Sequence, residues 1–242
     1  MAHAVSDIER NGLRARLVHP EQPNRAGVLV LSAWPGIDER IEEVSERLAG
    51  AGFTALAWDP FSAYDPAISM PQRRELTRGA ILDTTARQEQ VFWLDYMQSE
   101  LGLERLGVIG FCMGGRMGLT LAAIDRRLQA CVAFYPTIRL PVPEYALKAV
   151  DEARNIECAV QVHYPGRDEA TNRDTFLQLR HSLESRSGLA ETFAHYYPHA
   201  DHGFLSPEHQ SPANAAARQA AWPLTMAFFH SQLQAVAEPA HA

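Results

Sequence analysis

Short apolar segments alternate with helical segments along most of this chain. We predict strands at 27–31, 53–58, 106–110, 128–135, 158–163 and 192–197, and helices at 38–50, 73–101 with a break near Asp83, 113–124, 172–186 and 212–233. The strands are almost continuous runs of Val, Ile, Leu and Ala, which is typical of strands buried on both faces. The alternation predicts an α/β fold: a mostly parallel sheet with helices on both faces.

The length of 242 residues, 46% of them hydrophobic, suits one domain with a sizeable core. We find no internal repeat and no low-complexity block. The sequence therefore predicts a single domain over residues 1–242, in which about 236–242 form a flexible tail.

The charge balance and the cysteine pattern limit the kinds of binding partner and the cellular compartment that we expect. A net charge of -7 and a pI near 5.8 argue against nucleic acid or an anionic membrane surface as a partner. No secretory signal pattern opens the chain, and the apolar runs are too short to span a bilayer. The three cysteines form no CxxC pair, which suits a reducing compartment. We expect a cytoplasmic protein.

A candidate nucleophile lies at the end of the predicted strand 106–110. The stretch Gly110-Phe111-Cys112-Met113-Gly114 matches the G-x-[S/C]-x-G pattern of a nucleophile elbow. Such a turn exposes the nucleophile above the sheet, and the following helix N-terminus favours a thiolate. The backbone N–H of Met113 would donate to a developing oxyanion. The alternative is a glycine-rich turn that packs Cys112 in the core.

Two further strand ends carry an acid and a histidine. Asp168 follows the strand 158–163, and His202 follows the strand 192–197. The order Cys112, Asp168, His202 is the triad order of α/β-hydrolases, in which histidine moves the proton and the acid orients the imidazole. Taken singly, Asp168 could cap a helix and His202 could be a surface residue. Agreement at three separate strand ends favours catalysis.

With these motifs the chain resembles the dienelactone hydrolases (carboxymethylenebutenolidases) of the α/β-hydrolase superfamily. The resemblance covers nearly the whole chain and is most specific in GFCMGG at 110–115, YPGRD at 164–168 and the segment 197–204. It implies a Cys–Asp–His triad of Cys112, Asp168 and His202. It also implies a second oxyanion donor, the backbone N–H of Trp34 in the stretch 32–36.

The sequence departs from the family pattern at two places. Ala33 stands where the best-studied members carry a glutamate that helps to ionise the thiol, so either His202 and the helix dipole act alone or another carboxylate such as Glu39 contributes. Leu205 and Ser206 stand where those members have an arginine that binds the substrate carboxylate. The remaining candidates for substrate binding are Arg74 or Arg78 at the family's second arginine, Arg116, and Phe204.

These observations predict a cysteine-dependent hydrolase of a small ester or lactone, without a cofactor. Two alternatives stay open: a hydrolase of another carbonyl substrate such as a thioester, and a non-catalytic binder of small molecules. His199 and His202, with Asp201 between them, could suggest a metal site, but no clear further ligand is found elsewhere in the sequence, so we predict no metal site. Arg116 could bind a structural partner rather than the substrate. The chain could be a monomer or a small homo-oligomer.

Overall fold

A central sheet organises the protein in the computed structural model, which describes residues 3–188, 190–206 and 208–234. Its strands are β1 (Ala4–Arg10), β2 (Leu13–His19), β3 (Ala26–Leu31), β4 (Thr54–Trp58), β5 (Arg105–Phe111), β6 (Leu128–Phe134), β7 (Ala159–Arg167) and β8 (Thr192–Asp201). The helices are α1 (Glu39–Gly50), α2 (Met70–Leu76), α3 (Asp83–Ser99), α4 (Met113–Ala122), α5 (Ala149–Glu152), α6 (Arg173–Glu184) and α7 (Pro212–Leu233). The predicted tail 236–242 lies outside the described residues.

The strands of the described chain form one sheet in the order β1-β2-β4-β3-β5-β6-β7-β8. The pairs β1–β2 and β2–β4 are antiparallel, and every pair from β4 to β8 is parallel. Consequently the carboxyl ends of β3, β5, β6, β7 and β8 meet at one edge, where ligands of open α/β sheets bind. The prediction of a mostly parallel sheet is confirmed.

Helices cover both faces of the sheet, as predicted. One hydrophobic cluster joins the sheet to α3, α4 and α6, with Trp93 and Leu179 fully buried in it. The other cluster joins the opposite face to α1 and α7, with Leu48 and Phe229 fully buried. No helix among the described residues combines the length and the apolar character needed to cross a membrane.

The antiparallel hairpin of β1 and β2 was not predicted from the sequence. Its strands are edge strands with interspersed charges, so they lack the apolar runs that revealed the others, and most of β1 is exposed. A signal was nevertheless present: Asn11 and Gly12, both at positive φ (52° and 74°), form the turn between them. Asn-Gly between alternating residues is a strong hairpin signature.

Other element boundaries differ from the predictions for local reasons. The predicted helix 73–101 is two helices, α2 and α3, and the predicted break near Asp83 is confirmed because α3 begins there. Helix α2 begins at Met70 rather than 73, since Ser69 and Gln72 form a reciprocal capping box. Strands β7 and β8 continue to Arg167 and Asp201, so most of YPGRD is strand rather than loop.

Candidate active site

A strained turn joins β5 to α4 and presents Cys112. This residue has φ 55° and ψ -112°, a conformation that non-glycine residues rarely adopt. A Cβ atom at Gly110 would lie 2.1 Å from the carbonyl oxygen of Gly114, and one at Gly114 would lie 2.2 Å from that of Leu31. Both neighbours must therefore be glycine for α4 to start so close to the sheet, as a nucleophile elbow requires.

We expect Gly114→Ala to lower the free energy of unfolding by about 3 kcal/mol, because backbone atoms cannot yield as a flexible side chain would. Gly118→Ala, in the same helix, is the matched control. A Cβ atom there would meet side-chain carbons at 3.6 Å or more, so the change should be neutral or slightly stabilising. Urea denaturation of both variants measures the difference, and equal stabilities would show that the close approach at Gly114 is dispensable.

The carboxylate of Asp168 and the imidazole of His202 meet beyond the neighbouring strands β7 and β8. The Nδ1 atom of His202 lies 2.9 Å from Oδ2 and 3.0 Å from Oδ1 of Asp168. The Asp168 side chain is fully buried, and its Oδ1 also accepts from the backbone N–H groups of Ala170 (2.8 Å) and Thr171 (2.9 Å). Two backbone N–H groups thus hold the carboxylate in place on the imidazole.

The imidazole also lies beside the Cys112 thiol: hydrogen bonding and charge between the two groups change the pKa of each. Burial alone would raise the pKa of the Cys112 thiol, but the hydrogen bond and charge of His202, with hydrogen bonds from Thr137 and Met113, together outweigh it, and the pKa lies below the ordinary value. Burial would lower the pKa of His202, yet Asp168 and Cys112 raise it to about 10. The pair therefore favours thiolate and imidazolium, the reactive form of such a dyad.

Residues after β8 position His202. Asn214 in α7 is buried, accepts from the backbone N–H of Asp201 (2.8 Å) and donates to the Asp201 carboxylate (3.0 Å). Gly203, at φ 71°, then turns the chain, and its carbonyl accepts from the N–H of Ser206 at 2.7 Å. The role of Asn214 was missed, because its only local signal is that it follows the helix cap Ser211.

The sulfur and the imidazole open into a cavity of about 360 Å³. Trp34 and Ala33 line it from the turn after β3, in which the N–H of Gly36 donates to the carbonyl of Ala33 at 3.0 Å. The backbone N–H of Met113 donates to the Cys112 sulfur from the first turn of α4. The two predicted oxyanion donors, the N–H groups of Trp34 and Met113, thus belong to segments that flank one cavity. At the position of the family's glutamate, the side chain is the methyl group of Ala33.

The lining of this cavity includes charges from the start of α1. Glu39 and Arg40 line it, so the carboxylate suggested from the sequence lies at the site. A second cavity, of about 410 Å³, shares Arg40 and runs along Arg218 and Trp222. Cys112 and His202 line the first cavity and not the second, so the first is the candidate active site.

The four residues predicted to bind substrate lie elsewhere. Arg74 and Arg78 are exposed on and after α2, where the Arg74 guanidinium stands 5.2 Å from the centre of the Trp34 ring. Arg116 is buried in an ion pair with Asp83, the structural alternative considered above. Phe204 is fully buried in the core. Among the described residues, none of these four lines the cavity.

Two residues after β6 reach the site and were missed. Tyr135, at φ 36°, lines the cavity, and its ring meets the imidazole of His202 edge-on at 5.2 Å between centroids. The Thr137 hydroxyl lies 3.0 Å from the Cys112 sulfur. A signal existed, since β6 neighbours β5 in a parallel sheet and the carboxyl ends of such strands meet.

The other two cysteines differ from Cys112 in their burial and in the direction of their pKa shifts. Cys131 and Cys158 are buried free thiols, and burial raises the pKa of both, that of Cys158 to about 12. They are core residues with little thiolate character. Within the described ranges, no three His, Cys, Asp or Glu side chains are grouped so as to hold a metal ion.

A mixed sheet covered on both faces, with an elbow after β5 and an acid–histidine pair beyond β7 and β8, is the arrangement of the α/β-hydrolase fold. Residues 13–233 match the dienelactone hydrolase family, and the chain belongs to that family. It is therefore a hydrolase of the dienelactone hydrolase type.

Individual relatives agree with this membership. "Putative carboxymethylenebutenolidase" of Yersinia pestis is 26% identical over 212 residues, which are 84% of this chain and 76% of that protein. "Probable 2-oxo-3-(5-oxofuran-2-ylidene)propanoate lactonase" of Bradyrhizobium sp is 32% identical over 136 residues, 53% of this chain and 54% of that one. The crystal structure of "Putative Dienelactone Hydrolase" from Klebsiella pneumoniae has the same fold, with a TM-score of 0.76, 24% identity and coverage of 94% and 98% of the two chains.

Proposed function

We propose that this protein hydrolyses small esters or lactones through an acyl-enzyme on Cys112. The observation that carries the proposal is the series of contacts from the buried Asp168 carboxylate through the His202 imidazole to the sulfur at the elbow. Such a series activates a nucleophile and returns a proton to the leaving group. Membership in the dienelactone hydrolase family supports the same reaction class.

In the first half of the reaction the Cys112 thiolate attacks the acyl carbon, and a carbon–sulfur bond forms. The carbonyl oxygen becomes an oxyanion, which accepts from the backbone N–H groups of Met113 and Trp34; one such donor lowers the barrier by roughly 2.7–4 kcal/mol. The carbon–oxygen bond then breaks, and the leaving oxygen takes the proton of the His202 imidazolium. A thioester remains on Cys112.

Water completes the cycle. His202, now neutral, accepts a proton from a water molecule that attacks the thioester carbon. The carbon–sulfur bond breaks, the carboxylic acid leaves, and the thiolate and imidazolium are restored. In a lactone the leaving oxygen stays attached to the acyl part, so the product is one hydroxy acid. The name of the Bradyrhizobium relative supports a lactone as the substrate class.

Trapping the acyl-enzyme tests this proposal. When the full chain reacts with p-nitrophenyl acetate and is quenched with acid at early times, we expect peptide mass spectrometry to find an acetyl group on Cys112. The pKa values of Cys131 and Cys158 are raised by burial, so these thiols serve as internal controls that stay unmodified. Hydrolysis that proceeds with the acetyl group on another side chain, and never on Cys112, would exclude Cys112 as the nucleophile.

A further inference from the structure

The loop after β6 brings a hydroxyl group to the candidate nucleophile. The Oγ1 atom of Thr137 lies 3.0 Å from the Sγ atom of Cys112, within hydrogen-bond distance for sulfur. A thiolate has no proton to give, so in the ionised state the Thr137 hydroxyl is necessarily the donor of this bond. Hydrogen bonds to an ionised partner are stronger than those between neutral groups.

The backbone of Thr137 is held on both sides. Its N–H donates to the carbonyl of Cys112 at 2.9 Å, which ties the loop to the elbow itself. Its carbonyl accepts from a guanidinium N–H of Arg116 at 2.9 Å. Arg116 follows Cys112 by about one turn of α4, so the loop is bound to both ends of that turn.

Arg116 is itself fixed by a buried ion pair. Its guanidinium donates twice to Asp83, at 2.8 Å each, and both side chains are almost fully buried. Asp83 also accepts from the backbone N–H of Leu147, at the far end of the same loop. Breaking such a pair would leave an uncompensated buried charge, so the geometry is strongly maintained. Arg116 and Asp83 are therefore positioning residues for the loop.

Thr171 links this loop to the acid of the site. Its hydroxyl donates to the carbonyl of Pro136 at 2.6 Å and accepts from the N–H of Ile138 at 2.8 Å, so it brackets Thr137. Its own N–H donates to the Asp168 carboxylate at 2.9 Å. The hydroxyl on the sulfur and the carboxylate on the imidazole are thus positioned by one shared residue.

From these contacts we infer that Thr137 is a catalytic residue whose hydroxyl donates to the Cys112 thiolate and stabilises it. Ala33 offers no carboxylate at the position of the family's glutamate. Hydrogen bonds from His202, Thr137 and the N–H of Met113 lower the pKa of the Cys112 thiol, and the Thr137 hydroxyl is 3.0 Å from the sulfur. This inference rests on the proposed function, in which the thiolate is the attacking group. Without the hydroxyl, a smaller fraction of Cys112 would be ionised at neutral pH.

The pH dependence of alkylation measures that fraction directly. Iodoacetamide reacts with the thiolate, so the rate at Cys112, followed by peptide mass spectrometry, falls as the pH drops below the thiol pKa. In Thr137→Val, which removes the hydroxyl, we expect the midpoint to move to higher pH. At a pH below both midpoints the alkylation rate should fall about tenfold.

Thr137→Ser is the matched control, since it keeps the hydroxyl and should alkylate within about threefold of the wild type. Thr137→Ala removes the hydroxyl without adding a methyl group and should shift the profile as the valine variant does. A valine profile that superimposes on the wild-type profile, or a serine profile that matches the valine one, would overturn the inference. The assay needs no substrate, so its outcome is independent of whether Cys112→Ala retains hydrolysis, the result that would overturn the proposed function.

Discussion

Cys112→Ala is expected to reduce the hydrolysis of p-nitrophenyl acetate and of small lactones by a factor of about 10⁴ or more. Loss of a nucleophile removes the covalent route, and the catalysis that remains comes from binding and from the oxyanion donors alone. The neighbouring glycines already create the space of the elbow, so an alanine should fit at position 112 without new contacts. Steady-state kinetics of the purified variant, with its thermal unfolding as a check on folding, measure the effect.

Cys158→Ala is the matched control for this experiment. It removes a thiol that is buried at the start of β7, far along the strand from the site, and should keep the wild-type kcat. Full activity in Cys112→Ala would exclude the proposed mechanism. A wild-type protein that turns over no ester, lactone or thioester would instead favour the non-catalytic binder, and preference for thioesters would favour the other hydrolase alternative.

Asp168→Asn is expected to lower kcat by about 10⁴-fold while leaving the fold intact. Oδ1 of Asp168 accepts from the N–H groups of Ala170 and Thr171, so the amide oxygen of an asparagine would keep that place. Its NH₂ group would then face Nδ1 of His202 and force that nitrogen to accept. The ring proton would move to the nitrogen that faces Cys112, where it prevents the ring from taking the thiol proton.

The same substitution should change the ionisation of the site. The bond to Asp168 is the largest of the contributions that raise the pKa of His202 to about 10, so without the carboxylate charge that pKa should fall. The imidazolium that stabilises the thiolate would be lost at neutral pH, and alkylation of Cys112 should slow together with hydrolysis. Asp174→Asn, an equal charge change at an exposed position of α6, is the control. An Asp168→Asn enzyme within tenfold of the wild-type kcat would show that the carboxylate does not orient the ring.

The parts of the fold that were predictable share one property: their pattern is local. The apolar run at 27–31 indicates a buried strand, and the helical spacing of Ile41, Val44 and Leu48 indicates a helix with one buried face. The structure confirms the strand and the helix at those places. The hairpin of β1 and β2 was not predicted, because edge strands need little apolar surface. Its Asn11-Gly12 turn indicated a hairpin, but a prediction of strands from apolar runs does not take turn residues into account.

The residues of the candidate site also divide into those with a local sequence signal and those without one. Cys112, Asp168 and His202 could be selected because each follows a predicted strand and because their order matches a known motif. Arg116 could not be assigned, since a buried ion pair with Asp83, 33 residues away in the chain, leaves no local trace. Arg74 and Arg78 were suggested only by the resemblance to the family's second arginine, and both are exposed, on and just after α2.

By itself, the sequence determined the class of fold and identified the elbow and the three candidate side chains, because periodicity and short motifs are properties of neighbouring residues. Only the tertiary structure decided which groups surround the sulfur: a hydroxyl 25 positions along the chain, a buried ion pair that holds its loop, and a cavity to which Tyr135 and Glu39 contribute. Hydrogen bonds and pKa values depend on distances of a few ångströms between segments remote in sequence. Those distances exist only once the strands are aligned and their carboxyl ends meet.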